Sequence, residues 1–140
     1  METPFTKISV QTNVMAPVSK VWETWTTPEH ITQWNNASPD WHTPVAENDL
    51  QVGGKFLSRM EAKNGSFGFD FEGVYDAVVT HELISYNLAD GRNVKVIFID
   101  KGYQTEVIET FDAENENPIE MQRGGWQAIL DNFKNYTESR

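Results

Sequence analysis

From Lys7 to Val14 the chain alternates, with Ile8, Val10 and Thr12 on one side, and this period of two predicts a first strand. Ala16-Pro17 stops it. Val18, Val21, Trp22 and Trp25 then recur at helical spacing behind Pro17, which suits a first helical position and predicts a short amphipathic helix to about Trp25. Thr27-Pro28-Glu29-His30 repeats a helix start, with Thr27 as N-cap and Ile31 and Trp34 as the apolar face. Residues 35–44 are polar and rich in turn formers and predict a loop that carries Trp41. Strands are predicted at 55–62, 67–79, 83–88, 94–99 and 105–111, with Asn64-Gly65 and Asp90-Gly91 as hairpin turns. Tight turns between consecutive strands imply an antiparallel meander, because parallel neighbours need long crossovers.

The period changes again at the C-terminus. Asn117-Pro118-Ile119-Glu120 reads as a helix start with Asn117 in the cap position. Ile119, Gln122, Trp126, Ile129, Leu130 and Phe133 follow at steps of three and four, giving about five turns of amphipathic helix. Trp126 is expected to be buried against the inner face of the sheet. Gly124-Gly125 interrupts this helix at an expected cost of about 1 kcal/mol each against Ala. Close approach of the helix to the sheet near Gly73 is the expected compensation, so that a methyl group at Gly125 would clash. The whole pattern gives an α+β domain: a curved antiparallel sheet of about six or seven strands around one long C-terminal helix, with two short helices after the first strand. A curved sheet wrapping one helix leaves an apolar space between them.

A chain of 140 residues fits one domain, taken as 1–140, with a core that needs no staple. The absence of Cys excludes disulfides, thiolate zinc sites and thiol nucleophiles. With no secretory leader pattern and no apolar run long enough to span a bilayer, a cytoplasmic location is expected. A net charge of −10 with no basic stripe argues against nucleic acid and anionic membranes as partners.

Pro28-Glu29-His30-Ile31-Thr32-Gln33-Trp34, Pro39-Asp40-Trp41-His42, Val52-Gly53-Gly54-Lys55-Phe56, the run from Phe67 to Gly73, and Gly125-Trp126 occur in that order along the chain. In order and spacing they resemble the stand-alone bacterial relatives of the activator of heat-shock-protein-90 ATPase, within the START and birch-pollen-allergen-like (SRPBCC) superfamily. The resemblance implies a helix-grip fold with a cavity between sheet and long helix. It implies function more coarsely, since lipid carriers, hormone receptors, aromatic cyclases and co-chaperones share that fold.

No catalytic motif is present. Gly53-Gly54 reads as a turn into a strand rather than a phosphate loop, and His30, His42 and His81 lack zinc-helix spacing. His30 and His81 read as solvated, and His42 as a candidate for the cavity mouth. Alternation on the last strand puts Glu109 on the side of Val107 and Phe111. It is therefore either a rim residue that reaches water or a cavity carboxyl that must be paired, neutralised or hydrated, with Arg59 as one candidate partner. In the fourth predicted element, Phe56, Ser58 and Met60 form the more apolar face and Arg59 the other, unless a bulge reverses them.

Aromatic residues make up 12% of the chain, enough either to fill the core or to line a pocket. The residues expected to line the cavity are Trp34, Trp41, Phe56, Arg59, Met60, Phe69, Phe71, Tyr75, Phe98, Glu109, Phe111, Trp126 and Leu130. The leading expectation is non-catalytic binding of a small hydrophobic or aromatic molecule, with no catalytic residue, metal or cofactor. The resemblance supplies the alternative of a module that contacts a chaperone. It also counts partly against it, since the activators carry a further N-terminal domain and nothing here precedes the first strand. A cyclase or hydrolase acting on an aromatic substrate ranks third, with Glu109, His42 and Arg59 as its candidate groups.

Overall fold

A computed structural model describes residues 5–140. The elements in chain order are β1 (Lys7–Val14), α1 (Val18–Thr26), α2 (Pro28–Trp34), β2 (Trp41–Asn48), β3 (Lys55–Ala62), β4 (Gly68–Val79), β5 (Leu83–Asn87), β6 (Asn93–Asp100), β7 (Thr105–Asp112) and α3 (Ile119–Glu138). The strands form one seven-stranded antiparallel sheet in the order β1-β7-β6-β5-β4-β3-β2. It is a meander from β2 to β7, and β1 closes onto β7 with Val10 opposite Glu109. The sheet curls around α3, and α1 and α2 complete the cover, as the helix-grip expectation requires.

One strand was not legible in the sequence. Residues 41–48 pair with β3 although the segment contains Pro44, and the ladder shifts register between His42 and Val45. Proline is tolerated there because β2 is an edge strand and the irregularity spares its missing N–H. In β4 a bulge lies between Tyr75 and Ala77, so that the inward side passes from Tyr75 to Val78, which packs against the core. β3 carries no bulge against β4, and its alternation holds: Ser58 and Met60 are buried on the inner side, while Arg59 points outward.

All three helix starts differ from expectation in detail. Neither Thr27 nor Asn117 makes a side-chain cap bond. Asn117 Nδ2 instead donates to Glu114 Oε2 at 3.0 Å, and Gln122 ties down the turn, its Nε2 donating to the Asn117 carbonyl at 2.8 Å. Pro17 is the N-cap residue of α1, one position earlier than expected.

The core is continuous. Val10, Val96, Val107, Phe111, Leu130 and Phe133 are essentially inaccessible, and Trp22 and Trp34 extend the core under α1 and α2. Trp34 Nε1 donates to the Thr24 carbonyl at 3.0 Å, which allows the indole to be buried without an unmet donor. His30 is not free in solvent: its Nδ1 lies 2.7 Å from the Tyr136 hydroxyl and links α2 to α3. His81 adopts φ 67° in the β4–β5 connection, with its ring edge-on to Trp22.

The glycine pair in α3 corrects the expected packing. A Cβ at Gly124 or Gly125 would meet no atom within 4 Å, so the helix does not approach the sheet closely there. Gly125→Ala is therefore expected to stabilise the protein by up to about 1 kcal/mol through helix propensity alone. A denaturant melt checks this, and a loss of stability would contradict the open space beside Gly125. The tight glycine is Gly73. A Cβ there would lie 2.8 Å from Phe56 Cε2 and 2.9 Å from the Asn87 carbonyl oxygen. The obstacle is the neighbouring strand backbone and a β3 ring, not the helix. Gly73→Ala is expected to cost about 1–3 kcal/mol, measured in the same melt, and a neutral result would mean that β4 and β5 separate freely at that point.

Candidate functional site

The inner faces of β3, β4, β5 and β7 supply the floor of a cavity, with Asn48 of β2 beside them, and α1, α2 and α3 supply its roof. Along β4 the alternation sets Phe69, Phe71, Gly73 and Tyr75 on the inner side, and the glycine leaves room for the Phe56 ring to lie over it. Phe56 meets Tyr86 edge-on at 4.5 Å between ring centroids, and Phe71 stands edge-on to Trp126 at 6.2 Å. From α3, Trp126 and Ile129 complete the wall, and from the first helices Trp25, Ile31 and Trp34 do so. The enclosed space is about 320 Å³, partly open to solvent. That lies in the range of small-molecule sites.

Glu109 projects into this space from β7 and is 6% exposed. Its neighbours across the ladder are Val10 and Val96, both inaccessible, so neither flanking strand offers a polar partner. Among the described residues its carboxyl has no hydrogen-bond or ion-pair partner. Burial alone raises its pKa from the usual carboxylate range to about 8. Tyr86 lies close enough to feel that charge; burial foremost, and then Glu109, push its phenol well up. The Tyr75 hydroxyl donates to Asn48 Oδ1 at 2.5 Å, and burial outweighs that bond in raising its pKa. Ser58, Asn35 and Asn48 add polar atoms to the wall, with Glu47 on the exposed side. Arg92 lines the cavity from the β5–β6 turn, held by Asp90, whose Oδ2 accepts from Arg92 Nε at 2.7 Å.

Of the residues named from sequence, Trp34, Phe56, Met60, Phe69, Phe71, Tyr75, Glu109 and Trp126 line the cavity. Five do not. Arg59 lies on the outer face, where its Nε donates to Glu61 at 2.8 Å and its guanidinium to Asp70 at 3.2 Å; it cannot pair with Glu109 through the sheet. Trp41 sits at the sheet edge beside Phe67 and Phe69. Phe98 packs edge-on against Trp22 and Trp25 in the core, and Leu130 is wholly buried. Phe111 is covered by Trp126, which stacks on it at 3.9 Å with the rings 9° apart. Trp126 is thus half-buried, with one ring face on β7 and an edge on the cavity, rather than fully buried. His42 lies outside the cavity wall, 3.7 Å from Glu61.

Ten of the lining residues were not expected from the sequence, among them Trp25, Ile84, Tyr86, Arg92 and Ile129. Ile84 and Tyr86 share the inner face with their partners Val96 and Val94 on β6, a pairing that the local pattern of β5 does not encode. Arg92 sits in a hairpin turn, where charge ordinarily reads as solvated. Among the described residues no group of three or more His, Cys, Asp or Glu side chains is placed to hold a metal ion, and no helix is long and apolar enough to cross a membrane.

A curled antiparallel sheet around a long C-terminal helix, with a cavity between them, defines a START-like, helix-grip protein. The model of the Activator of Hsp90 ATPase homolog 1-like family matches residues 15–138, and the chain belongs to that family. Its structure is similar to that of the AHSA1-like protein from Aeromonas hydrophila, with 45% identity over 96% of this chain and 93% of that one and a TM-score of 0.89. It is also similar to Chr148 from Cytophaga hutchinsonii, with 52% identity over 95% and 92% of the two chains and a TM-score of 0.83. Protein NE0264 from Nitrosomonas europaea shares the fold at 17% identity, with 98% and 99% of the chains covered and a TM-score of 0.83. No curated protein matches the sequence.

Proposed function

We propose that the protein binds a small hydrophobic or aromatic molecule, without transforming it, in the cavity between the sheet and α3. The observation that carries this reading is the cavity itself: about 320 Å³ walled mainly by aromatic and aliphatic side chains. An apolar space of this size forgoes the dispersion contacts that close packing would supply, and an apolar occupant restores them. Transfer of such an occupant from water contributes about 25 cal/mol per Å² before the costs of association. The polar groups are few, and Glu109 has no base, acid or nucleophile hydrogen-bonded to it. That supports binding over catalysis, which needs a proton donor or acceptor positioned beside a second reacting group.

The test is a titration with an environment-sensitive hydrophobic fluorophore, followed by its displacement with a diverse set of metabolites. Saturable binding that is lost when Phe71→Trp fills the cavity is expected. A folded protein that takes up none of these compounds would contradict the reading.

The description of the family as activator homologues favours a second reading, a surface that contacts a chaperone. It predicts that the host's own Hsp90-type chaperone is retained by the protein and that its ATPase rate changes. An unchanged rate with no retention removes that reading.

A further inference from the structure

A buried carboxyl that faces a cavity and has no partner is an acceptor awaiting a donor. Glu109 is such a group: 6% exposed, with no hydrogen bond or ion pair among the described residues, at the floor of an apolar chamber. We propose, on the reading that the cavity binds a small molecule, that its ligand is a hydrophobic amine whose ammonium group docks on the carboxylate of Glu109 and whose apolar body lies among Phe56, Phe71 and Trp126.

The charges around the chamber favour a cation over an anion. The other titratable groups lining it are Glu47 on β2, Tyr75 on β4, Tyr86 on β5 and Arg92 in the β5–β6 turn. The helices contribute none to the lining. Arg92 is already held by Asp90, whose Oδ2 accepts from its Nε at 2.7 Å and whose Oδ1 accepts from its backbone N–H at 3.1 Å. It makes no hydrogen bond or ion pair with Glu109, whose carboxyl feels burial alone. Glu109 adds a negative charge only once its proton leaves; the engagement of Arg92 by Asp90 and the chain's net charge of −10 bias the site toward cations. The aromatic rings of the wall present faces on which an ammonium is further stabilised.

An ammonium ligand must find Glu109 ionised. Burial holds that carboxyl protonated at neutral pH, with a pKa of about 8, so binding of the cation expels the proton to solvent. A neutral ligand that accepts a hydrogen bond would instead keep the proton in place. The two modes differ in proton release and not only in affinity.

The experiment is calorimetric titration at pH 7 with naphthylethylamine, naphthylethanol and naphthylacetic acid, which share an aromatic body and differ in the terminal group. The amine is expected to bind at least about tenfold more tightly than the alcohol, and the acid more weakly than either. The measured heat for the amine should vary with the ionisation enthalpy of the buffer, reporting release of close to one proton. Glu109→Gln should abolish the preference for the amine over the alcohol. Equal or tighter binding of the alcohol or the acid overturns the amine assignment while leaving cavity binding intact. Binding of the amine with no proton release in the wild-type protein overturns it as well, whether or not the Gln variant folds. A protein that binds none of the three overturns the amine assignment together with the cavity reading beneath it.

Discussion

Phe133→Ala is expected to destabilise the protein by about 3–5 kcal/mol, as truncation of a fully buried aromatic ring does. Phe133 is wholly inaccessible and joins α3 to both short helices. Its ring meets Trp25 at 4.8 Å and 74° and Trp34 at 4.9 Å and 75°, both edge-to-face. Each such pair is worth about 0.5–1.5 kcal/mol beyond the area it buries. Neither indole can easily collapse into the vacated space, because Trp34 is tethered to the Thr24 carbonyl and Trp25 also packs on Phe98. The midpoint of thermal unfolding should fall by roughly 10–20 °C. A loss below about 1 kcal/mol would mean that the aromatic cluster is not the joint between α3 and the two short helices.

Glu109→Gln is expected to stabilise the unliganded protein at alkaline pH and to change little in acid. The folded-state pKa of Glu109 is raised to about 8 from a reference of 4.5. Below pH 4.5 both folded and unfolded chains hold the proton, and the residue carries no ionisation penalty. Between 4.5 and 8 the unfolded chain has released a proton that the folded chain keeps, so the folded state loses stability as pH rises. Above the folded pKa the penalty is complete. At about 1.4 kcal/mol per pH unit it reaches on the order of 5 kcal/mol. Gln resembles the protonated acid in size and cannot ionise. The difference in unfolding free energy between variant and wild type should thus be near zero at pH 4.5 and grow toward pH 8. Paired denaturant melts across that range check it. A difference that stays flat with pH would mean that the carboxyl is hydrated or paired in solution and is not the isolated group of the cavity floor.

Glu109 also marks how far the sequence could be read. Alternation with Val107 and Phe111 fixed its inward direction, because a strand has only two faces. Whether it met water or an apolar chamber depended on strand order. Its neighbours Val10 and Val96 are brought beside it by the closure of β1 onto β7 and by the register of β6, which no local pattern encodes. Arg59 failed as its partner for the complementary reason: strict alternation on β3 sends it outward, where Glu61 and Asp70 take it. β2 was lost because Pro44 and the polar run before it read as a loop, and only its edge position makes the proline acceptable. The helix of residues 119–138, the two short helices and five of the seven strands were legible from periodicity and turn chemistry within a few residues, and β1 likewise. Gly124-Gly125 shows the limit of inferring packing from composition. The pair suggested a close helix–sheet approach, yet the tight contact is at Gly73, between two strands and a ring.

The stacking of Trp126 on Phe111 has a functional corollary. One indole face is held against β7, so the edge toward Phe71 bounds the cavity at a fixed place instead of swinging in to fill it. Preorganisation of this type lowers the cost of ordering a binding site around its ligand. The most direct measurement is a crystal structure of the protein purified from its own host. The binding account predicts continuous density for a small molecule enclosed by Phe56, Phe71, Glu109 and Trp126, with those side chains placed as described here. A chamber closed by inward rotation of Trp126 and Phe71, leaving no space for an occupant, would contradict it.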